Sequence, residues 1–123
     1  MAGIYIHVPF CKQACNYCNF YFSTSSYFLK DYLDAILHEI SLQVDYVKQE
    51  KIESIYFGGG TPSILSSQSI LKILDAIIQN YDVNSSVEIT LEGNPDDLSS
   101  DKLKDLKSIG VNRLSIGTQS FQE

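Results

Sequence analysis

All three cysteines of this 123-residue chain fall within eight positions, as Cys11, Cys15 and Cys18. An odd count excludes a complete set of internal disulfides. A thiol packed as a small hydrophobe explains one such residue well. It explains poorly three in the loop Cys11-Lys-Gln-Ala-Cys15-Asn-Tyr-Cys18, with none elsewhere. Reduced thiols clustered in this way point to a metal or catalytic site. Two occupants suit them. Structural zinc wants four tetrahedral ligands, and His7 is near enough in sequence to be the fourth. That histidine precedes Pro9 on a predicted strand, however, and is poorly placed to join a loop cage. An iron–sulfur cluster usually takes four thiolates as well. Three would leave one iron open, and an open metal position can bind and activate a small ligand.

Three more segments carry residues suited to chemistry: Gly58–Pro62, Glu92-Gly93-Asn94-Pro95 and Gly117-Thr118-Gln119. Each has a plain alternative. Glycines serve as turn residues, Glu92 as a solvated loop acid, and Gln119 as a satisfied polar group near a strand end. What distinguishes the four segments is that each follows a run that reads as a strand.

Those runs are Ile4–Val8, Ile55–Phe57, Val87–Leu91 and Arg113–Ile116. They are short and rich in β-branched and aromatic residues, and the first is stopped by Pro9. Between them the apolar period lengthens. Leu29, Leu33, Ile36, Ile40, Val44 and Val47 form one stripe of a long helix expected from Ser26 to about Gln49. Ser66 or Ser67 could cap a second helix with Ile70, Ile73, Leu74, Ile77, Ile78 and Tyr81 as apolar positions. A third is expected from Asp101 to Ile109, ended by Gly110. The alternation β-α-β-α-β-α-β implies an α/β fold with a parallel sheet and helical crossovers. In such folds the ligand face lies at the carboxyl ends of the strands, so the four segments converge. Periodicity does not separate a doubly wound sheet from part of a (β/α) barrel. A barrel of eight strands needs ~250 residues, so this chain would be roughly half of one.

Composition narrows the function classes. Nine Lys+Arg against 15 Asp+Glu give a net charge of −6. Sequence-independent binding to nucleic acid or anionic membrane needs a basic surface, which argues against both. No apolar run approaches the ~20 residues of a membrane span. The first residues carry no Lys or Arg before the Ile4–Phe10 stretch, which His7 and Pro9 break, so no secretory signal is read and a cytosolic location is expected.

The Cys-x₃-Cys-x₂-Cys loop after a first strand resembles the signature of the radical S-adenosylmethionine (SAM) superfamily. Its context is more specific. Gly3–Cys11, Tyr56-Phe57-Gly58-Gly59-Gly60-Thr61-Pro62, Glu92-Gly-Asn94-Pro95 and Arg113-Leu-Ser-Ile-Gly117-Thr-Gln119-Ser-Phe121 look like the oxygen-independent coproporphyrinogen III oxidase-like branch, which includes the HemW-like haem chaperones. The resemblance spans essentially the whole chain. It implies a partial radical-SAM TIM-type barrel, with residues 1–123 as the first part of that core.

The resemblance also implies roles. Cys11, Cys15 and Cys18 would hold three irons of a 4Fe–4S cluster, and SAM would bind the fourth. The reduced cluster would pass one electron to the sulfonium and release a 5′-deoxyadenosyl radical. Gly59, Gly60 and Thr61 would line the methionine end of SAM, and Glu92 would accept a hydrogen bond from it. Tyr5, at the close of the first strand, would sit beside SAM. Tyr17 would pack against the cofactor, and Gln119 matches a SAM-contacting position of the oxidases. Aromatic packing alone would also account for Tyr5 and Tyr17. His7 is expected in the barrel interior without a ligand role.

Phe20 stands where the oxidases carry a further cysteine, and Cys11 lies close to the start of the sequence. Both departures favour the haem-chaperone side over the decarboxylating enzyme. Porphyrin or haem is then the implied partner, with an unidentified reductant protein. A zinc-stabilised module without catalysis is the reading from another class. An open sheet edge after the fourth strand would favour self-association.

Overall fold

The computed structural model describes residues 2–9, 25–43 and 50–116. Strands and helices alternate as β1 (Ala2–Val8), α1 (Ser25–Leu42), β2 (Lys51–Gly59), α2 (Ser67–Asn80), β3 (Asp82–Gly93), α3 (Ser100–Ser108) and β4 (Arg113–Ile116). Short 3₁₀ turns at Pro62–Ile64 and Pro95–Asp97 follow β2 and β3. Cys11, Cys15, Tyr17, Cys18, Phe20, Val44, Val47 and Gln119 lie outside the described residues.

The strands pair in the order β1-β2-β3-β4, all parallel. Their spatial order is their chain order. One apolar cluster gathers Ile40 of α1, Ile70, Ile73, Leu74 and Ile77 of α2, and Leu106 of α3 against Ile6, Val8, Ile55, Phe57, Ile89 and Leu91 of the sheet. All three helices therefore cover the same face. A doubly wound sheet reverses its strand order and places helices on both faces. The described sheet does neither, which resolves the choice left open by periodicity in favour of a barrel-type arrangement.

Local chemistry sets the element ends. Ser66 caps α2 by accepting the Ser69 amide at 3.1 Å, and Ser99 caps α3 by accepting the Lys102 amide at 3.1 Å. Gly110 follows α3 at φ +115°. Its amide bonds the Lys107 carbonyl while the Val111 amide bonds that of Leu106, the paired bonds of a Schellman ending.

Several boundaries differ from expectation. Tyr81 does not continue α2. It caps the helix, and its hydroxyl donates to the Ile40 carbonyl at 2.9 Å, tying α2 to α1. Ile78, expected on the buried stripe, is 57% exposed, because it follows fully buried Ile77 and so points about 100° round the helix from it. β3 begins at Asp82, five residues early, because its partner on β2 jumps register: Ile52 faces Val83 but Ser54 faces Glu88. The polar run Asn84-Ser85-Ser86 fills that jump, with the Asn84 side chain accepting the Ser86 amide at 2.7 Å.

Alternation sends the other half of each strand to the opposite face. Tyr5 pairs with Tyr56, His7 with Gly58, Tyr56 with Thr90, and Glu92 with Ser115. These residues share the uncovered face with Glu88 and Arg113. Tyr5 is 57% exposed there, against 0% for Phe57 next to its partner. His7 lies on this inner face, as expected of a barrel-interior histidine. Tyr5 sits in the middle of β1 and not at its close, because the strand runs on to Val8.

Candidate functional site

At the carboxyl end of the sheet, Gly59, Gly60, Thr61, Glu92, Gly93, Asn94, Ser115 and Ile116 line a cleft of about 240 Å³. Four of the residues singled out from sequence, Gly59, Gly60, Thr61 and Glu92, meet in it. Pockets that enclose a drug-sized ligand run ~300–1,000 Å³, so this cleft takes one end of such a ligand and not the whole of it.

Glu92 is the charged group of the cleft. It is held from β2 on both sides. The Tyr56 hydroxyl donates to its Oε2 at 2.6 Å, and the Gly59 amide donates to its Oε1 at 3.1 Å. That bond to the carboxylate pushes the Tyr56 phenol above the ordinary tyrosine range, with desolvation acting in the same direction. Gly59 has φ +115°, a conformation L side chains rarely adopt, and a Cβ there would come 2.8 Å from the His7 ring. The glycine is therefore demanded by the fold itself, before any ligand is considered. Gly60 donates its amide to the Val8 carbonyl at 2.7 Å, carrying the β1–β2 pairing past the end of the strand.

Tyr5 lies beside this group. Its ring stacks on Tyr56 with centroids 5.8 Å apart and planes 18° from parallel, and its hydroxyl is 3.4 Å from His7 Nδ1. The result is an aromatic ledge running from β1 to the carboxylate on β3.

The two loops that form the cleft are bolted together behind it. Buried Ser63, in the turn after β2, accepts the Asn94 amide at 3.2 Å and donates to Asp97 Oδ2 at 3.0 Å. Lys102, in the first turns of α3, donates to the carbonyls of Ser63 and Leu65, each at 2.7 Å. Burial pulls the Lys102 ammonium below its usual range, and the charge of Asp97 opposes that pull. Across the start of β4, Asn112 accepts the Ile89 amide at 2.8 Å and donates to the Val87 carbonyl at 3.0 Å, standing in for strand backbone.

Tyr56, Ser63, Lys102 and Asn112 had no role in the sequence reading. Tyr56 was within reach of it: alternation puts it opposite Ile55 and Phe57, hence on the face that carries Glu92. Ser63 and Lys102 are separated by 39 positions, and nothing local signals their meeting. Among the described residues no group of three His, Cys, Asp or Glu is placed to hold a metal ion. The cysteines, Tyr17 and Gln119 fall outside those residues. Among the described residues no helix is long and apolar enough to cross a membrane.

The model of the radical SAM superfamily matches residues 5–123. The heme chaperone HemW of Bacillus subtilis is 40% identical over 129 residues, covering 100% of this chain and 33% of the relative. HemW of Escherichia coli is 38% identical over 127 residues, covering 98% and 32%. Among solved structures, coproporphyrinogen III oxidase (HemN) from Escherichia coli, described as a radical SAM enzyme, superposes with a TM-score of 0.79 at 29% identity. That superposition covers 98% of this chain and 28% of the oxidase. The chain thus spans about a third of the length of the curated relatives it matches.

Proposed function

This chain belongs to the radical SAM superfamily, and from that premise we propose that it is the cluster-bearing first part of a HemW-like haem chaperone. The observation that carries the reading is the cleft itself: Gly59, Gly60 and Thr61 at the end of β2 and Glu92 at the end of β3 share one wall. Identity of 38–40% to HemW, against 29% to HemN, favours the chaperone over the oxidase.

The donor set fits the amino-acid end of SAM. A carboxylate beside glycine backbone suits an ammonium group, which presents three donors and no acceptor. In this reading Glu92 accepts from that ammonium, while Gly59, Gly60 and Thr61 lie along the methionine chain. Tyr5 offers its ring face to the remainder of the ligand. Cys11, Cys15 and Cys18 ligate the 4Fe–4S cluster, Tyr17 packs against it, and Gln119 contacts SAM. When bound, cluster and SAM supply one-electron cleavage chemistry at the sulfonium. Haem or porphyrin is the proposed cargo of the full-length protein, a separate protein the reductant, and the cytoplasm the location, where clustered thiols stay reduced. Leu103, Leu114 and Ile116 are exposed beside the β4 edge, which supports self-association of this chain; concentration-dependent light scattering tests it.

Anaerobic reconstitution with iron and sulfide tests the centre of the reading. A brown product whose colour is lost in Cys15→Ser is expected. A colourless product with stoichiometric zinc overturns the cluster and favours the zinc module. For the branch, conversion of coproporphyrinogen III by the full-length protein under anaerobic conditions would overturn the chaperone in favour of the oxidase.

A further inference from the structure

Tyr56 is not among the residues that line the cleft, yet its hydroxyl donates to the Glu92 carboxylate in that wall at 2.6 Å. That tyrosine is itself firmly held. Its backbone is paired on both sides, to Tyr5 and to Thr90, and its ring is stacked on Tyr5. A glutamate side chain at a cleft rim otherwise keeps several rotamers, whose loss opposes binding. Here one carboxylate oxygen is fixed by the phenol and the other by the Gly59 amide. Each oxygen accepts in two directions, so two acceptor sites remain for a ligand.

We propose that Tyr56 is a positioning residue that presets the Glu92 carboxylate for the ammonium group of the ligand in the cleft. The phenol acts through Glu92 and not on the ligand directly. This deepens the SAM reading and rests on it. The phenol has to remain protonated, because a phenolate would repel the carboxylate it now bonds. The titratable and charged groups that share its face are Glu92, Tyr5, His7, Glu88 and Arg113.

The test uses the chain reconstituted anaerobically with iron and sulfide, titrated with SAM by calorimetry. Tyr56→Phe is expected to bind SAM about 10-fold more weakly, the size of one lost charge-assisted hydrogen bond, with its melting temperature within a few degrees of the parent. Glu92→Gln weakens binding too. Adding Tyr56→Phe to Glu92→Gln then changes affinity by less than about 2-fold, because the hydroxyl works through the carboxylate. A merely structural tyrosine would instead give additive losses. Incorporating 3-fluorotyrosine at position 56 keeps the hydroxyl but makes it more acidic. It is expected to bind SAM like the parent at neutral pH and to lose affinity at a lower alkaline pH than the parent does.

Absence of SAM binding by the reconstituted parent overturns the SAM reading and this proposal with it. Parent binding with unchanged affinity in Tyr56→Phe, or with additive losses, overturns this proposal alone. If Tyr56→Phe does not fold, the fluorotyrosine chain decides, and an alkaline profile identical to the parent's overturns the proposal.

Discussion

The two faces of the sheet are built from alternate residues of the same strands, and they differ in almost every physical respect. The helix-covered face presents Ile6, Val8, Ile55, Phe57, Ile89 and Leu91, all nearly inaccessible. The other presents Tyr5, His7, Tyr56, Glu88, Glu92, Arg113 and Ser115, whose contacts are hydrogen bonds, ring stacking and one ion pair. One face holds the fold together by removing apolar area from water. The other is stabilised little by its own contacts and is free to be arranged around a ligand. The comparison predicts that damage should sort by face: stability from one, binding from the other.

The largest effect is expected at Phe57, the biggest fully buried side chain among the described residues. Phe57→Ala should cost about 3–5 kcal/mol through lost transfer energy and the cavity left behind, measured by urea unfolding. A loss below 1 kcal/mol would break the contrast. Gly59 sits where the faces meet the cleft, so Gly59→Ala should damage both properties. Its positive φ and the His7 contact predict about 1–3 kcal/mol of destabilisation together with a weakened cleft, read by unfolding and by SAM titration of the reconstituted chain.

Alkaline pH offers a graded version of the test. Burial, aided by the charge of Glu39, pushes the Tyr32 phenol up to about 12. Tyr81 is raised by the same two causes, and Tyr56 by its bond to Glu92. Between the unfolded tyrosine value of ~10 and these raised values the native state holds more protons than the unfolded one. The stability these groups contribute is therefore full below pH 10 and lost as pH climbs toward 12. Thermal melts across that window should show the decline, and Tyr32→Phe should flatten it. The smallest effect belongs to the Glu88–Arg113 pair on the open face, at 3.0 Å but with both side chains more than half exposed. Removing either should change stability by no more than about 0.5 kcal/mol. A larger loss would mean that the open face also holds the fold.

Legibility in the sequence followed the same division. Apolar periodicity gave three helices, with Ile70, Ile73, Leu74 and Ile77 on the buried stripe of the second, and runs of β-branched and aromatic residues gave four strands. It marked the ends less well. The jump opposite Asn84–Ser86 depends on how β2 meets β3, and the capping role of Tyr81 depends on where α1 lies. At the cleft, Gly59, Gly60, Thr61 and Glu92 were readable from type and context. Tyr56 was within reach only through strand alternation, since its type matches its strand-forming neighbours. Ser63, Asp97 and Lys102 form a bolt between loops whose partners are distant in the chain, and no local pattern carries that information.

Strand order equal to chain order also bears on how the molecule is made. Each strand pairs with the one synthesised just before it. As the chain leaves the ribosome, every new βα unit finds its template already emerged and never waits for a distant segment. Domains assemble from the N-terminal side during synthesis, and short-range pairing keeps the entropy of closing each connection small. The edge exposed at each stage is also the docking site for the next arrival, so growth and protection of the sheet are the same event.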